Sequence, residues 1–296
     1  MRGRLHHDSA SLTKASILQC GISRRVCSAP SNVRQILWTD IEEACVANNS
    51  IGKGVFARCF AAHVGGMKTV CIKLLTAGDK YKSLFYSESK ILSEFCHYNL
   101  PWIHGLCCNS NHVAIVMTHH PYNGRNASMH IHDALYKNLD KTMTDLNRNH
   151  WRQVLLGCSS ALVYLKSKCI LHNDIKSDNV LIEKLPPTFL EVRAVLIDFN
   201  KACLRSEAQR YTLSSKEREY YAKHYPQIAP EVRNGCETQS FSSDIYSLGR
   251  VIKKINTAIL EIPCICSLAE LCLNSLSSKR PSAEELKLTF SNLFSV

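Results

Sequence analysis

The chain has 296 residues, 45% of them hydrophobic and 21% charged, which is globular composition and enough length for one large domain or two lobes around a cleft. No run is long and apolar enough to span a bilayer and no secretory signal is visible, so neither a membrane span nor export is expected. The net charge of +11 comes from Lys and Arg spread along the chain, and the 15 cysteines are never spaced C-x-x-C; nucleic-acid binding and structural zinc are therefore not expected, and a reducing, cytoplasmic compartment is.

Residues 1 to about 40 form a Ser-rich basic stretch with Arg2, Arg4, Lys14, Arg24, Arg25 and Arg34. A flexible tail is the expectation, with mitochondrial import as a minor alternative. Two strand patterns follow, "FARCFAAHV" and "MKTVCIKLL", joined at Gly65-Gly66 as in a hairpin. In the second, Val70, Ile72 and Leu74 share one face and Thr69, Cys71 and Lys73 the other. Phe85, Ile91, Leu92 and Phe95 then recur at helical spacing, and "HVAIVM", 112–117, reads as another strand.

The rest is mostly helical. Trp151, Val154, Leu155, Cys158, Ala161, Leu162 and Leu165 make one apolar stripe, and Ile245, Leu248, Ile252 and Ile255 a second. Ser282-Ala-Glu-Glu285 fits a capping box that opens a last helix, with Leu286, Phe290 and Leu293 inward. A sheet-rich front and a helix-rich back predict an α+β fold in two lobes.

Three segments carry chemistry. In "IGKGVFARC", Gly52 and Gly54 allow a tight turn and a close backbone approach to phosphates, although the pattern alone is equally that of a plain hairpin. Lys73 faces inward from a strand and needs an anion there; Glu88 on the following helix is a candidate. "LHNDIKSDNVLI" and "VLIDFN" sink Asp174, Lys176, Asn179 and Asp198 between apolar runs. Such a set needs a ligand or mutual pairing, and its oxygens suit Mg²⁺ and the orientation of a hydroxyl.

In this order the segments resemble those of a eukaryotic-type protein kinase from about residue 40 to the end. "GKGVF" resembles the Gly-rich loop, "VCIK" the V-A-I-K strand, "HNDIKSDN" the H-R-D-L-K-x-x-N loop and "DFN" the D-F-G turn. "APE", 229–231, "SDIYSLG", 243–249, and "KRPS", 279–282, follow in place. The resemblance implies a bilobal fold, with a mainly antiparallel sheet plus one helix over about 41–118 and a larger helical lobe over about 119–296. It implies ATP and Mg²⁺ as cofactors and proteins as substrates, with Lys176 favouring Ser/Thr acceptors; it is silent on oligomeric state. It implies that Asp174 takes the acceptor proton, Lys176 steadies the transferring group, Lys73 pairs with Glu88 and meets phosphates, and Asn179 and Asp198 hold Mg²⁺. Ile51, Gly52, Gly54, Cys59, Cys71, Met117, Thr118, His120 and Leu181 would surround the nucleotide, and Glu231 would pair with Arg280. Replacing Asp174 or Lys73 should then cost activity far more than stability.

The chain departs from this pattern at several positions. Asn173 stands where relatives carry the Arg that meets an activation-segment phosphate, so activity without such phosphorylation is expected. Asn200 replaces the Gly of D-F-G, where a left-handed backbone is expected to suit Asn. Ala57 replaces the third Gly, and Cys59 and Cys71 replace the usual Val and Ala beside adenine. After the helix expected to end near Lys254, only "INTAILEIPCIC" precedes the next apolar run, where relatives usually spend more chain. These departures leave open a nucleotide-binding scaffold without catalysis.

Overall fold

A computed structural model describes residues 28–47, 50–64, 66, 69–122, 127–136, 146–185 and 191–293. The basic residues from Arg2 to Arg25, and Gly65 of the expected hairpin turn, lie outside them.

Five antiparallel strands form the N-terminal sheet: β1 (Ser50–Lys53), β2 (Ala57–Ala62), β3 (Val70–Leu75), β4 (Ile103–Cys108) and β5 (Val113–Thr118), in the order β1-β2-β3-β5-β4. Period-2 alternation gives this sheet two buried faces. Val70, Ile72, Ala114 and Val116 pack on one side with Phe60 and Ile41. Val113, Ile115 and Met117 pack on the other with Phe85 and Leu92. Helix α1 (Glu42–Val46) packs against β2, on the first side, and α2 (Lys82–Ser93), which carries Phe85 and Leu92, covers the second.

Residues before 40 already take part in the fold. Val33, Ile36 and Ile41 are buried, and residues 34–36 run alongside β4: Ile36 N–H donates to Leu106 O at 3.0 Å and Leu106 N–H to Arg34 O at 2.9 Å. Gly105 permits this, because a Cβ there would lie 2.5 Å from Ile36 Cγ1 and 2.7 Å from Arg34 O. Residues 33–41 thus pack against the sheet, although the basic composition read as tail extends to about 40.

The helical part contains α3 (Ile131–Tyr136), α4 (Arg148–Ser167), α5 (Ser215–His224), α6 (Pro230–Arg233), α7 (Phe241–Ile255), α8 (Pro263–Cys272) and α9 (Ala283–Asn292). Helix α4 starts at a capping box: Asn147 Oδ1 accepts from His150 N–H at 2.9 Å while Asn147 N–H donates to His150 Nδ1. All seven residues of its predicted stripe are buried, each aliphatic side chain stabilising by about 1.5–3 kcal/mol. The expected box at Ser282 opens α9, with Leu286 and Phe290 fully buried and Leu293 half-buried. One π-helical turn, Asn256–Leu260, joins α7 to α8 across the short stretch after Lys254. No helix of the described residues is long and apolar enough to cross a membrane. Sheet first and helices after, this is the bilobal α+β architecture expected.

Two small sheets position the polar segments. β6 (Met129–His130), β8 (Val180–Leu185) and β9 (Glu191–Leu196) form one, in the order β6-β8-β9. β7 (Ile170–Leu171) pairs with β10 (Cys203–Leu204) in the other. The loop from β7 to β8 holds residues 172–179, and the turn after β9 holds residues 197–202. The β8–β9 register pairs Val180 with Leu196, which sets Asn179 beside Asp198; Ile197 N–H donates to Asn179 O at 2.9 Å.

Candidate active site

Lys73 sits mid-strand on β3, where alternation turns it away from Ile72 and toward α2. Its Nζ donates to Glu88 Oε1 at 2.7 Å and Oε2 at 2.8 Å, and to Asp198 Oδ1 at 2.9 Å. The ammonium is thus held by two carboxylates from segments 15 and 125 residues away along the chain. Burial disfavours its charge, but Asp198 and Glu88 outweigh that and hold Lys73 above the ordinary lysine range. Burial likewise works to raise Asp198, and Lys73 overrides it, bringing the carboxyl down to about 2.

Glu88 Oε1 also accepts Phe199 N–H at 3.2 Å, fixing the turn after Asp198. Phe199 is buried edge-on to Phe95, ring centroids 4.7 Å apart, with His172 at 4.6 Å on another side. Asp198 itself is left-handed, φ 67°. Asn200 is not among the positive-φ residues, so the expectation of a left-handed Asn there is corrected. Its role is a side-chain contact instead: Asn200 Nδ2 donates to Asp198 Oδ1 at 2.6 Å.

The loop 172–179 presents a second cluster. Asp174 Oδ2 accepts from Lys176 Nζ at 3.2 Å and from Asn179 Nδ2 at 3.2 Å. Its Oδ1 accepts from Lys201 Nζ at 3.0 Å. The loop's backbone is anchored by Asp244 on α7, whose carboxylate accepts His172 N–H at 2.8 Å and Asn173 N–H at 2.9 Å. Burial raises Asp244 to about 6 and lowers His172 to about 4. Asn173 is left-handed, φ 61°, a conformation Asn adopts at low cost. Its Nδ2 donates to Lys201 O at 3.1 Å and contacts Cys203 Sγ at 3.3 Å.

The remaining expected residues divide. Cys59 pairs in register with Lys73, and Cys71 with Met117, so all four share one sheet face with the ammonium. Ile51 and Gly52 lie half-buried on β1, Gly54 is exposed in the following turn, and Leu181 is buried on β8. Thr118 N–H is engaged by Trp102 O at 2.8 Å. His120 turns its ring into a buried cluster, with Nδ1 3.1 Å from Glu183 Oε2 and 3.2 Å from Arg193 Nη2. Arg280 meets Glu231 through two parallel bonds of 2.6 and 2.7 Å.

Asn179 spends its amide nitrogen on Asp174 O at 2.8 Å and on Oδ2, which turns its carboxamide oxygen toward other uses. That oxygen and the second Asp198 oxygen are hard donors of the kind Mg²⁺ takes. Among the described residues no cluster of three or more His, Cys, Asp or Glu could hold a metal alone. Two donors fit an ion that completes its shell with phosphate and water.

Asp244 and Lys201 were not singled out from sequence. Asp244 lies in the quoted "SDIYSLG", and a carboxylate in an otherwise apolar helical stripe was the available signal. Lys201 gave none, because its reach to Asp174 depends on a turn 27 residues away.

The protein kinase domain family matches residues 45–263. Among curated proteins, the chain is 29% identical over 225 residues to the LRR receptor-like serine/threonine-protein kinase RGI1 of Arabidopsis thaliana, which covers 72% of this chain and 18% of that protein. It is 26% identical over 266 residues to the LRR receptor-like serine/threonine-protein kinase GSO1 of the same plant, covering 86% and 20%. With the L-type lectin-domain containing receptor kinase IX.2, also of Arabidopsis thaliana, it shares 29% identity over 218 residues, 71% of this chain and 29% of that one. The chain therefore spans less than a third of the length of these relatives. With the family matched across most of its length and the motifs meeting in space, the chain belongs to the eukaryotic-type protein kinases.

Proposed function

We propose that the chain is an active kinase that transfers the γ-phosphoryl group of ATP to Ser or Thr hydroxyls of proteins. The observation that carries this is Lys73, bonded at once to Glu88 and Asp198. The members of that triad come from three separate segments, β3, α2 and the turn after β9.

Each residue then has a task. Lys73, fixed by two carboxylates, offers its ammonium to the α/β-phosphates. Asn179 and Asp198 hold Mg²⁺, which when bound supplies neutralisation of the phosphates' charge. Asp174 orients the acceptor hydroxyl and takes its proton. Lys176, beside Asp174, steadies the transferring group. Cys59, Cys71, Met117 and Leu181 provide an apolar lining for the base, with the backbone of Thr118 and His120 at its edge. Such catalysis rests on positioning and electrostatics. A reducing, cytoplasmic setting is proposed on the cysteine spacing.

The test is label transfer from γ-labelled Mg·ATP to a generic acceptor protein, wild type beside Asp174→Asn. Transfer that falls by about 10²-fold or more in the variant supports the reading. Nucleotide-dependent thermal stabilisation without transfer supports a non-catalytic scaffold instead.

A further inference from the structure

The carboxylate of Asp174 has no idle oxygen. Oδ2 is shared by Lys176 and Asn179, as expected of a loop that fixes its own base. Oδ1 is held by Lys201 Nζ at 3.0 Å, from the turn after β9. The Asp174 side chain is 8% exposed, and those of its two cations, Lys201 and Lys176, are 31% and 35% exposed, so the carboxylate lies beneath two partly exposed ammonium groups. Among the described contacts, Lys201 is the partner of Oδ1, the oxygen that Lys176 and Asn179 leave to it.

Lys201 is also aimed. Asn173 Nδ2 grips Lys201 O at 3.1 Å and Cys203 Sγ at 3.3 Å. The residue next to Asp174 in sequence therefore holds the backbone of the residue whose side chain reaches Asp174. The two contacts close a small ring between the loop 172–179 and the turn 197–202. The stem that completes it is the flexible four-carbon chain of lysine, ending in a single point charge that can swing aside while the bond from Asn173 to the Lys201 backbone stays in place.

We propose that Lys201 is a displaceable cap on Asp174: its ammonium occupies the place at Oδ1 that the acceptor hydroxyl takes, so that acceptor binding and release of Lys201 are one event. This rests on Asp174 being the proton acceptor, as in the proposed function. Lys201 is a positioning residue here, acting through Asp174. The pair is partly exposed, so it is weak enough for a substrate to displace. Its effect falls on acceptor binding, because the capped and uncapped enzymes reach the same complex once the hydroxyl is seated.

The experiment compares wild type, Lys201→Met and Lys201→Arg, with dephosphorylated casein as acceptor and saturating Mg·ATP. Lys201→Met should lower the acceptor KM by about fivefold, the effect of removing one partly exposed ion pair. It should leave the KM for ATP where it was, and Lys201→Arg, which keeps a cation, should stay near wild type. An acceptor KM that is unchanged or higher in Lys201→Met overturns the proposal, as does a parallel change in both KM values, the mark of a general structural defect.

A second measurement does not depend on turnover. Acetic anhydride labelling of folded protein, read by mass spectrometry with exposed Lys90 as internal reference, should acylate Lys201 several-fold faster in Asp174→Asn than in wild type. Equal rates, with both proteins melting cooperatively, overturn the cap. If wild type transfers no phosphoryl group at all, the kinase reading fails and the acceptor's part of the proposal with it. The labelling comparison still decides whether Asp174 holds Lys201.

Discussion

Arg280→Met should be among the most damaging single changes in the helical lobe. The guanidinium is fully enclosed, with 0% of its side chain exposed against 7% for Glu231. Two parallel bonds of 2.6 and 2.7 Å join the pair, Nη1 donates to Ser242 O at 3.0 Å, and Nε donates to Asn274 O at 2.9 Å. The ring of Tyr246 lies 4.9 Å below the guanidinium. Methionine fills much of the volume but supplies none of the donors, and Glu231 is left as a buried, uncompensated carboxylate. Removing one partner of a buried pair costs about 3–5 kcal/mol. For a domain of this size that lowers Tm by roughly 10 °C, at about 2–4 °C per kcal/mol. Equilibrium urea unfolding and calorimetry measure it. A loss under about 1 kcal/mol, the range of an exposed pair, refutes the argument. The double variant Glu231→Leu with Arg280→Met should recover much of the loss, because it leaves no lone charge behind.

Lys73→Met should cost stability as well as activity, by about 3 kcal/mol in urea unfolding, because it strands Glu88 and Asp198 together; an unaltered midpoint refutes this. Gly249 of α7 faces α8, where an added Cβ would lie 2.5 Å from Cys272 Cβ. Gly249→Ala should therefore destabilise by about 1–3 kcal/mol through forced separation of the helices, and a neutral result in the same assay contradicts the close approach. His172 and Asp244 set opposing pH dependences. The folded chain binds fewer protons at His172, about 4 against 6.5, so stability falls as pH drops through that window. It binds more at Asp244, about 6 against 3.8, so stability rises as pH drops through 6. From pH 7 to 5 the first costs about 2 kcal/mol and the second returns about 1 kcal/mol. Asp244→Asn should thus lose about 1 kcal/mol more than wild type over that step, and parallel pH profiles refute the assignment.

What was legible in the sequence is what local periodicity and order encode. The alternation in β3 and β5, the stripe of α4 and the box at Ser282 follow from the pattern of side chains alone. The meeting of Lys73, Glu88 and Asp198 was legible only through the resemblance, since no local rule joins segments 125 residues apart. Three things were hidden. Val33 and Ile36 carry no strand alternation, and their docking depends on Gly105, seventy residues later. The left-handed backbone falls on Asp198 and Asn173 rather than on Asn200, because the turn is set by Phe199 packing inward. That Lys73 bonds two carboxylates at once was the third, since the strand and helix pattern offered Glu88 alone as its anion.

Asn173 shows how a substitution reads differently in one dimension and in three. Along the chain it is a lost positive charge, so a phosphate on the activation segment has nothing to pair with there. In space it is a gained hydrogen bond, holding Lys201 O and Cys203 Sγ directly. The segment after Asp198 is thereby tied to the loop 172–179 with no phosphate required. Farther on, Ser214 caps α5, its Oγ accepting from Glu217 N–H at 3.4 Å, so its hydroxyl has a structural task already. Replacing it by Ala would cost about 1 kcal/mol for reasons unrelated to phosphorylation. The informative variant is Thr212→Ala, Ser214→Asn and Ser215→Ala together, because Asn keeps the cap. Transfer to casein should persist within about twofold, less than ~0.5 kcal/mol of barrier. Abolished transfer in a protein that still melts as wild type would show that the side chain of Asn173 does not replace a phosphate.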